Sequence, residues 1–118
     1  MLSTHMCDAV MSVYKAVGYI KTEYPDLAAV KRWKGRIQRY CAAKELPLGA
    51  IYVDNGMASS EMVRAGFAAL LVDLSQTEAG AVVIPSLEHL SDEPIVREAL
   101  RAQILRSGAI ILALDERA

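Results

Sequence analysis

Ala81-Val82-Val83-Ile84 runs directly into Pro85-Ser86-Leu87-Glu88-His89-Leu90-Ser91-Asp92, and this stretch decides the fold. The first four residues are apolar without alternation, and three of them are β-branched. A strand of that kind is buried on both faces, as in a parallel sheet covered by helices. The polar run behind it is then a loop or short helical turn at the strand's carboxyl end.

Working outward, three further apolar runs repeat the pattern. Ala16-Val17-Gly18-Tyr19-Ile20, residues 49–53 around Ile51-Tyr52-Val53, and Ala109-Ile110-Ile111-Leu112-Ala113-Leu114 read as strands. Helical periodicity fills the intervals. Leu27, Val30, Trp33, Ile37 and Cys41 recur at three- and four-residue spacing, which predicts a helix from about residue 26 to Lys44, with Pro25 and Asp26 in its first turn. Phe67, Leu70, Leu71 and Leu74 predict a second helix over roughly 66–76. Pro94 opens a third, which stops near Ser107-Gly108. Strands alternating with helices give an α/β architecture: a mostly parallel central sheet of four to five strands flanked by helices in three layers. Residues 1–15 read as an N-terminal extension in which Met6, Val10, Met11 and Tyr14 could line a short helix, and residues 16–118 as the domain.

Composition narrows the function. Hydrophobic residues make up 53% of the 118, enough for a real core. Thirteen basic and fourteen acidic residues give a net charge of −1, which lacks the basic footprint of a free-standing nucleic-acid-binding domain. Lys31, Arg32, Lys34, Arg36 and Arg39 stripe the first helix, but in a near-neutral chain they read as a solvated face. Cys7 and Cys41 form no disulfide framework and no zinc pattern. No apolar run approaches the ~20 residues of a membrane span, and no signal peptide is visible, so the expectation is a cytoplasmic protein without a membrane association.

In sheets of this type the working residues collect in loops at the carboxyl ends of the strands. These loops contain no Gly-rich phosphate cradle and no nucleophile elbow. They hold Lys21, Thr22 and Glu23; Asp54, Ser59, Ser60 and Arg64; and Ser86, Glu88, His89, Ser91 and Asp92.

The order of these segments resembles the catalytic domain of the serine recombinases, the resolvase–invertase family. Gly18-Tyr19-Ile20-Lys21-Thr22-Glu23 is similar to a strand ending in Y-x-R-V-S. Val53-Asp54-Asn55-Gly56-Met57-Ala58-Ser59-Ser60-Glu61-Met62-Val63-Arg64-Ala65-Gly66-Phe67 resembles V-D-E-G-V-S-G-T-S-L-D-R-P-G-L. Val82 to Asp92 resembles V-V-V-P-S-L-D-R-L-S-R, and Ser107 to Glu116 is similar to R-G-V-x-L-V-S-L-D-E. The resemblance spans about residues 16–116 and implies a resolvase-like fold.

The same resemblance implies that the family's chemistry is lost. The nucleophilic serine of the first block falls on Glu23, which has no hydroxyl and repels phosphate. The arginine two residues earlier is Lys21, without a bidentate fork. In the third block the acidic position is Glu88, while the two arginines are His89 and Asp92. The second-block serine is Ala58, and Arg64 alone keeps its arginine. Lys21, Glu23, Arg64, Glu88, His89 and Asp92 are therefore expected to converge as a degenerate former active site with no catalytic residue. Ser59, Ser60 or Ser86 would be the substitute nucleophiles of a nicking or strand-transfer enzyme, and binding of a small ligand or anion is the other alternative. Glu23, Glu88, His89 and Asp92 offer oxygen and imidazole donors, but their spacing matches no metal-ligand pattern. The expectation is no metal and no cofactor, with Lys21 and Arg64 paired to the acids.

Family members continue into a dimerisation helix and a DNA-binding module. This sequence runs only to Ala118, so DNA binding by this chain alone is not expected. The expected function is that of a pseudoenzyme: a protein-interaction or regulatory module, self-associating as a dimer or docking to a protein partner. The extension at residues 1–15 and the helix at Pro94, with Ile95, Val96, Leu100 and Ile104, are the candidate surfaces.

Overall fold

The computed structural model describes residues 15–76 and 79–115. Four strands, β1 (Lys15–Thr22), β2 (Leu48–Asn55), β3 (Ala79–Ser86) and β4 (Ile110–Asp115), alternate with helices α1 (Leu27–Ala43), α2 (Ala65–Gln76) and α3 (Pro94–Arg106). The sheet order is β2-β1-β3-β4 and every pairing is parallel. The expected α/β architecture is present, with four strands among the described residues.

Side chains along the inner strands alternate between two cores. Val17 and Tyr19 of β1, with Val82 and Ile84 of β3, pack against Phe67, Leu70 and Leu74 of α2 and Leu100 and Ile104 of α3. Ala16, Ile20, Ala81 and Val83 face Val30, Ile37 and Cys41 of α1. Both faces are covered, which is why these strands read as unbroken apolar runs. Truncating one such residue, for example Leu100→Ala, costs about 2–5 kcal/mol. Gly18 sits where a Cβ would lie 3.0 Å from the Ile51 side chain and 3.4 Å from that of Ile37, so its bareness lets α1 approach the sheet.

Helix ends differ from the sequence expectation in detail. Asp26 is the N-cap of α1, its carboxylate accepting the Ala29 N–H at 3.0 Å, so Pro25 precedes the cap rather than entering the first turn. At the other end, Leu46 donates to the Cys41 carbonyl and Glu45 to that of Ala42, with Glu45 at φ 57°. This paired closure terminates the helix before Pro47 is reached.

The strands also run further than the apolar runs. β3 continues through Pro85 to Ser86. The pairing of β1 with β3 ends at Gly18–Val83, so Pro85 lies beyond that ladder and its missing N–H breaks nothing there.

The helix proposed as a surplus apolar surface is mostly a core element. Leu100 and Ile104 are buried and Val96 packs against the same core, while Ile95 and Leu105 stay exposed. The other candidate surface, with Met6, Val10, Met11 and Tyr14, lies outside the described residues.

Candidate functional site

The carboxyl ends of β1, β2 and β3 open onto one edge of the sheet. A three-residue 3-10 turn, Leu87–His89, follows β3 directly. It brings Glu88 and His89 beside the end of β1, and a cavity of about 400 Å³ lies between this turn and the start of α1. Lys21, Glu23, Glu88, His89 and Asp92 line it, together with Thr22, Tyr24, Asp26 and Trp33.

Arg64 is placed differently. It is almost fully buried, with its Nε donating to the Glu61 carbonyl at 2.6 Å. Its terminal nitrogens reach the Ser59 carbonyl at 3.2 Å and the Tyr19 hydroxyl at 3.5 Å. It therefore works under the 57–64 loop and does not line the cavity. Its charge is still felt there: burial first, and then the Arg64 guanidinium, hold the Lys21 ammonium below its ordinary pKa.

Lys21 is tied to the same loop. Its Nζ donates to Ser59 Oγ at 3.1 Å and to the Met57 carbonyl at 3.4 Å. Ser59 Oγ in turn is 3.5 Å from Asp92 Oδ2, and Ser91 Oγ donates to the Ser59 carbonyl at 2.8 Å. The expected pairing of Lys21 and Arg64 with acids is corrected by these contacts. Both cations are held by carbonyl and hydroxyl oxygens, and among the described residues the ion pair is the exposed Arg101–Glu98 contact. The loop turns its carbonyls inward, within reach of the buried donors, while the carboxylates of Glu23, Glu88 and Asp92 belong to exposed residues.

His89 is buried in a T-shaped contact with the Trp33 ring, 5.1 Å between centroids. Its Nδ1 accepts the backbone N–H of Lys21 at 3.1 Å. Burial, then the nearby Lys21 and Arg36 charges, push its pKa down to about 4. The side chain is thus a neutral imidazole at physiological pH, where the resembling pattern has an arginine.

Tyr19 and Asp54 form a second, structural layer. The Tyr19 hydroxyl donates to Asp54 Oδ2 at 2.7 Å, while Asp54 also accepts the N–H groups of Gly66 at 2.7 Å and Phe67 at 2.9 Å. A carboxylate at the end of β2 thereby caps α2 from across the loop. Burial, and then the bond to Asp54, push the Tyr19 phenol upward.

Glu23, Glu88 and Asp92 are the exposed members of the group. No three His, Cys, Asp or Glu side chains among the described residues gather into a metal-holding group. Ser86 closes β3 opposite Asp115 of β4. Trp33, which periodicity places on the apolar stripe of α1, also lines the cavity, as do Tyr24 and Asp26, which the motif resemblance does not mark. The signal that could have found them is their place in the loop and opening turns that follow β1.

No family model matches the chain, and no curated protein sequence matches it. Solved structures do. The N-terminal catalytic domain of TP901-1 integrase superposes with a TM-score of 0.77 at 17% identity, over 85% of this chain and 77% of that one. The C-terminal catalytic domain of ISC1926 TnpA, an IS607-like serine recombinase, gives 0.76 at 17% identity, over 86% and 71%. A resolvase family site-specific recombinase from Streptococcus pneumoniae gives 0.71 at 11% identity, over 86% and 72%. The chain has the fold of a serine recombinase catalytic domain. No helix among the described residues is long and apolar enough to cross a membrane.

Proposed function

We propose that this domain uses the serine recombinase fold without its strand-transfer chemistry, as a protein-interaction or regulatory module. The observation that carries the reading is Glu23. By the motif resemblance it stands in the nucleophile's position, and it lines the cavity beside Glu88 and Asp92. A carboxylate there offers no hydroxyl for a phosphoserine bond, and three acids on one rim repel a phosphodiester.

The cations add support. Transition-state stabilisation of phosphoryl transfer needs donors aimed at the phosphate oxygens. Lys21 and Arg64 spend theirs on Ser59, Met57, Glu61 and Tyr19. The two remaining arginine positions of the motif are a neutral imidazole and an acid.

One contact favours a second reading, a nicking enzyme with a different nucleophile. Lys21 Nζ lies 3.1 Å from Ser59 Oγ, and a lysine of lowered pKa beside a serine is an activating pair. Ser59 is buried and absent from the cavity wall, which weighs against attack on a duplex backbone.

Incubation with supercoiled plasmid, followed by denaturing electrophoresis, tests both. The expected result is intact supercoiled DNA and no covalent protein–DNA adduct. An adduct would overturn the proposal, and its loss in Ser59→Ala would establish the second reading instead.

A further inference from the structure

The cavity walls are chemically uneven. Four acidic residues, Glu23, Asp26, Glu88 and Asp92, line it against one lysine. That lysine is buried and tied to Ser59 and Met57, so the open face of the site is acidic. Trp33 supplies an aromatic wall, and its ring already carries the Arg36 guanidinium 5.3 Å from its centroid.

One donor faces this space without a protein partner. His89 is 8% exposed, and its Nδ1 is occupied as an acceptor by the Lys21 N–H. A neutral imidazole in that state carries its proton on Nε2. Nε2 has no hydrogen bond among the described residues, yet no fully buried side-chain nitrogen or oxygen there lacks a partner. Nε2 therefore reaches open space, and the space that His89 lines is the cavity.

Around the same edge stand exposed apolar side chains. Tyr24 and Leu27 mark the passage from β1 to α1, Val63 precedes α2, and Ile95 opens α3. Each follows the carboxyl end of a strand. Apolar groups around a polar socket are the surface a polypeptide covers when one of its side chains is anchored.

We infer that the cavity is a socket for an arginine side chain of a partner polypeptide, its guanidinium met by the carboxylates of Glu23, Glu88 and Asp92 and a main-chain carbonyl met by His89 Nε2–H. This deepens the interaction-module reading and rests on it. Charge complementarity selects a cation over a phosphate. The planar guanidinium suits both carboxylates, which it can grip with two donors at once, and the indole face.

Trp33 is the only tryptophan of the chain, so its fluorescence reports on this cavity directly. N-acetyl-arginine methylamide, titrated into the full chain, produces a saturable change in Trp33 emission. N-acetyl-glutamine methylamide and inorganic phosphate produce none. Glu88→Gln combined with Asp92→Asn weakens the arginine response by about tenfold or more. Both residues are exposed, so the double variant keeps its urea midpoint. A flat titration, an unweakened double variant, or saturation by phosphate overturns the inference. A covalent DNA adduct in the plasmid assay would instead remove the non-catalytic reading itself, whatever the fluorescence does.

Discussion

Across 68 residues of sequence, the backbone N–H of Lys21 donates to Nδ1 of His89 at 3.1 Å and ties the end of β1 to the turn after β3. The bond exists only while His89 is neutral at Nδ1. Protonation would set two donors against each other in a buried place.

A pH dependence of stability follows. The pKa of His89 is about 4 in the folded chain, against 6.5 for an ordinary histidine. Below pH 6.5 the unfolded state takes up a proton that the folded state refuses, so stability falls as pH drops from about 6.5 towards 4. The contribution is fully present above 6.5, and its loss amounts to roughly 3 kcal/mol at the acid end. Urea midpoints measured across that range show the decline. His89→Gln keeps an acceptor for the Lys21 N–H and does not titrate, so it flattens the decline relative to the native chain.

Arg64 behaves as a structural strut. Its guanidinium bonds the Glu61 and Ser59 carbonyls and the Tyr19 hydroxyl from inside the domain. Arg64→Met fills much of the volume but orphans those acceptors, which costs about 2–4 kcal/mol. Arg64→Lys restores only part of this, since one ammonium cannot span three acceptors set around a planar fork. Chemical denaturation of the two variants gives the order native, lysine, methionine.

Gly66 reverses the usual helix rule. Replacing an interior helical glycine by alanine normally stabilises by about 1 kcal/mol. Here an added Cβ would sit 2.8 Å from both Asp54 Oδ2 and the Val53 carbonyl. Gly66→Ala therefore pushes against the carboxylate that caps α2 and lowers the thermal midpoint. Tyr19→Phe removes one of the three donors to Asp54 while leaving the cap, and costs about 1 kcal/mol. A thermal midpoint raised by Gly66→Ala would show that the cap has room to move.

The fold was legible because its signals are local. Val82-Val83-Ile84 and Ala16 to Ile20 had to be buried on both faces, and the stripe from Val30 to Cys41 could belong only to a covering helix. The site was legible in part. Lys21, Glu23, Glu88, His89 and Asp92 line one cavity because each lies at or just after the carboxyl end of β1 or β3, and those two strands are neighbours in the sheet. The position of Arg64 was not legible, because it depends on which carbonyls the 57–64 loop turns inward. Likewise nothing in the spacing of His89 shows that a backbone N–H from β1 meets it. Of the apolar residues of α3, Leu100 and Ile104 are buried because α2 and α3 share one face of the sheet, while Ile95 stays exposed, and periodicity alone does not separate the two sets.

Glu45 marks a correctable strain. It occupies the left-handed region at φ 57° in the closure of α1, where the Leu46 and Glu45 N–H groups return to Cys41 and Ala42. A residue with a Cβ costs about 1 kcal/mol or more in that conformation, and glycine does not. Glycine's larger unfolded-state entropy offsets part of the gain. Glu45→Gly accordingly raises the urea midpoint by an amount equivalent to a few tenths of a kcal/mol. A lowered midpoint would mean that the Glu45 side chain contributes more than its backbone costs.

On the proposed reading, a serine placed at position 23 is not expected to confer strand transfer. A hydroxyl there would face the cavity, but the groups needed to hold a scissile phosphate against it are engaged or altered. Lys21 Nζ is bound to Ser59 and Met57, Arg64 is sealed beneath the loop, His89 is neutral, and Asp92 adds repulsion. Losing a single positioned donor typically costs about 10²–10³ in rate, and several such losses leave nothing measurable above background. Glu23→Ser is therefore expected to give no covalent adduct with supercoiled plasmid. Adding Asp92→Arg removes the repulsion and supplies one cation, yet His89 stays committed to the Lys21 backbone, so the double variant is also expected to be inactive. An adduct from the single variant would mean that Lys21 can leave Ser59 to grip a phosphate, and that the site lacks only its nucleophile.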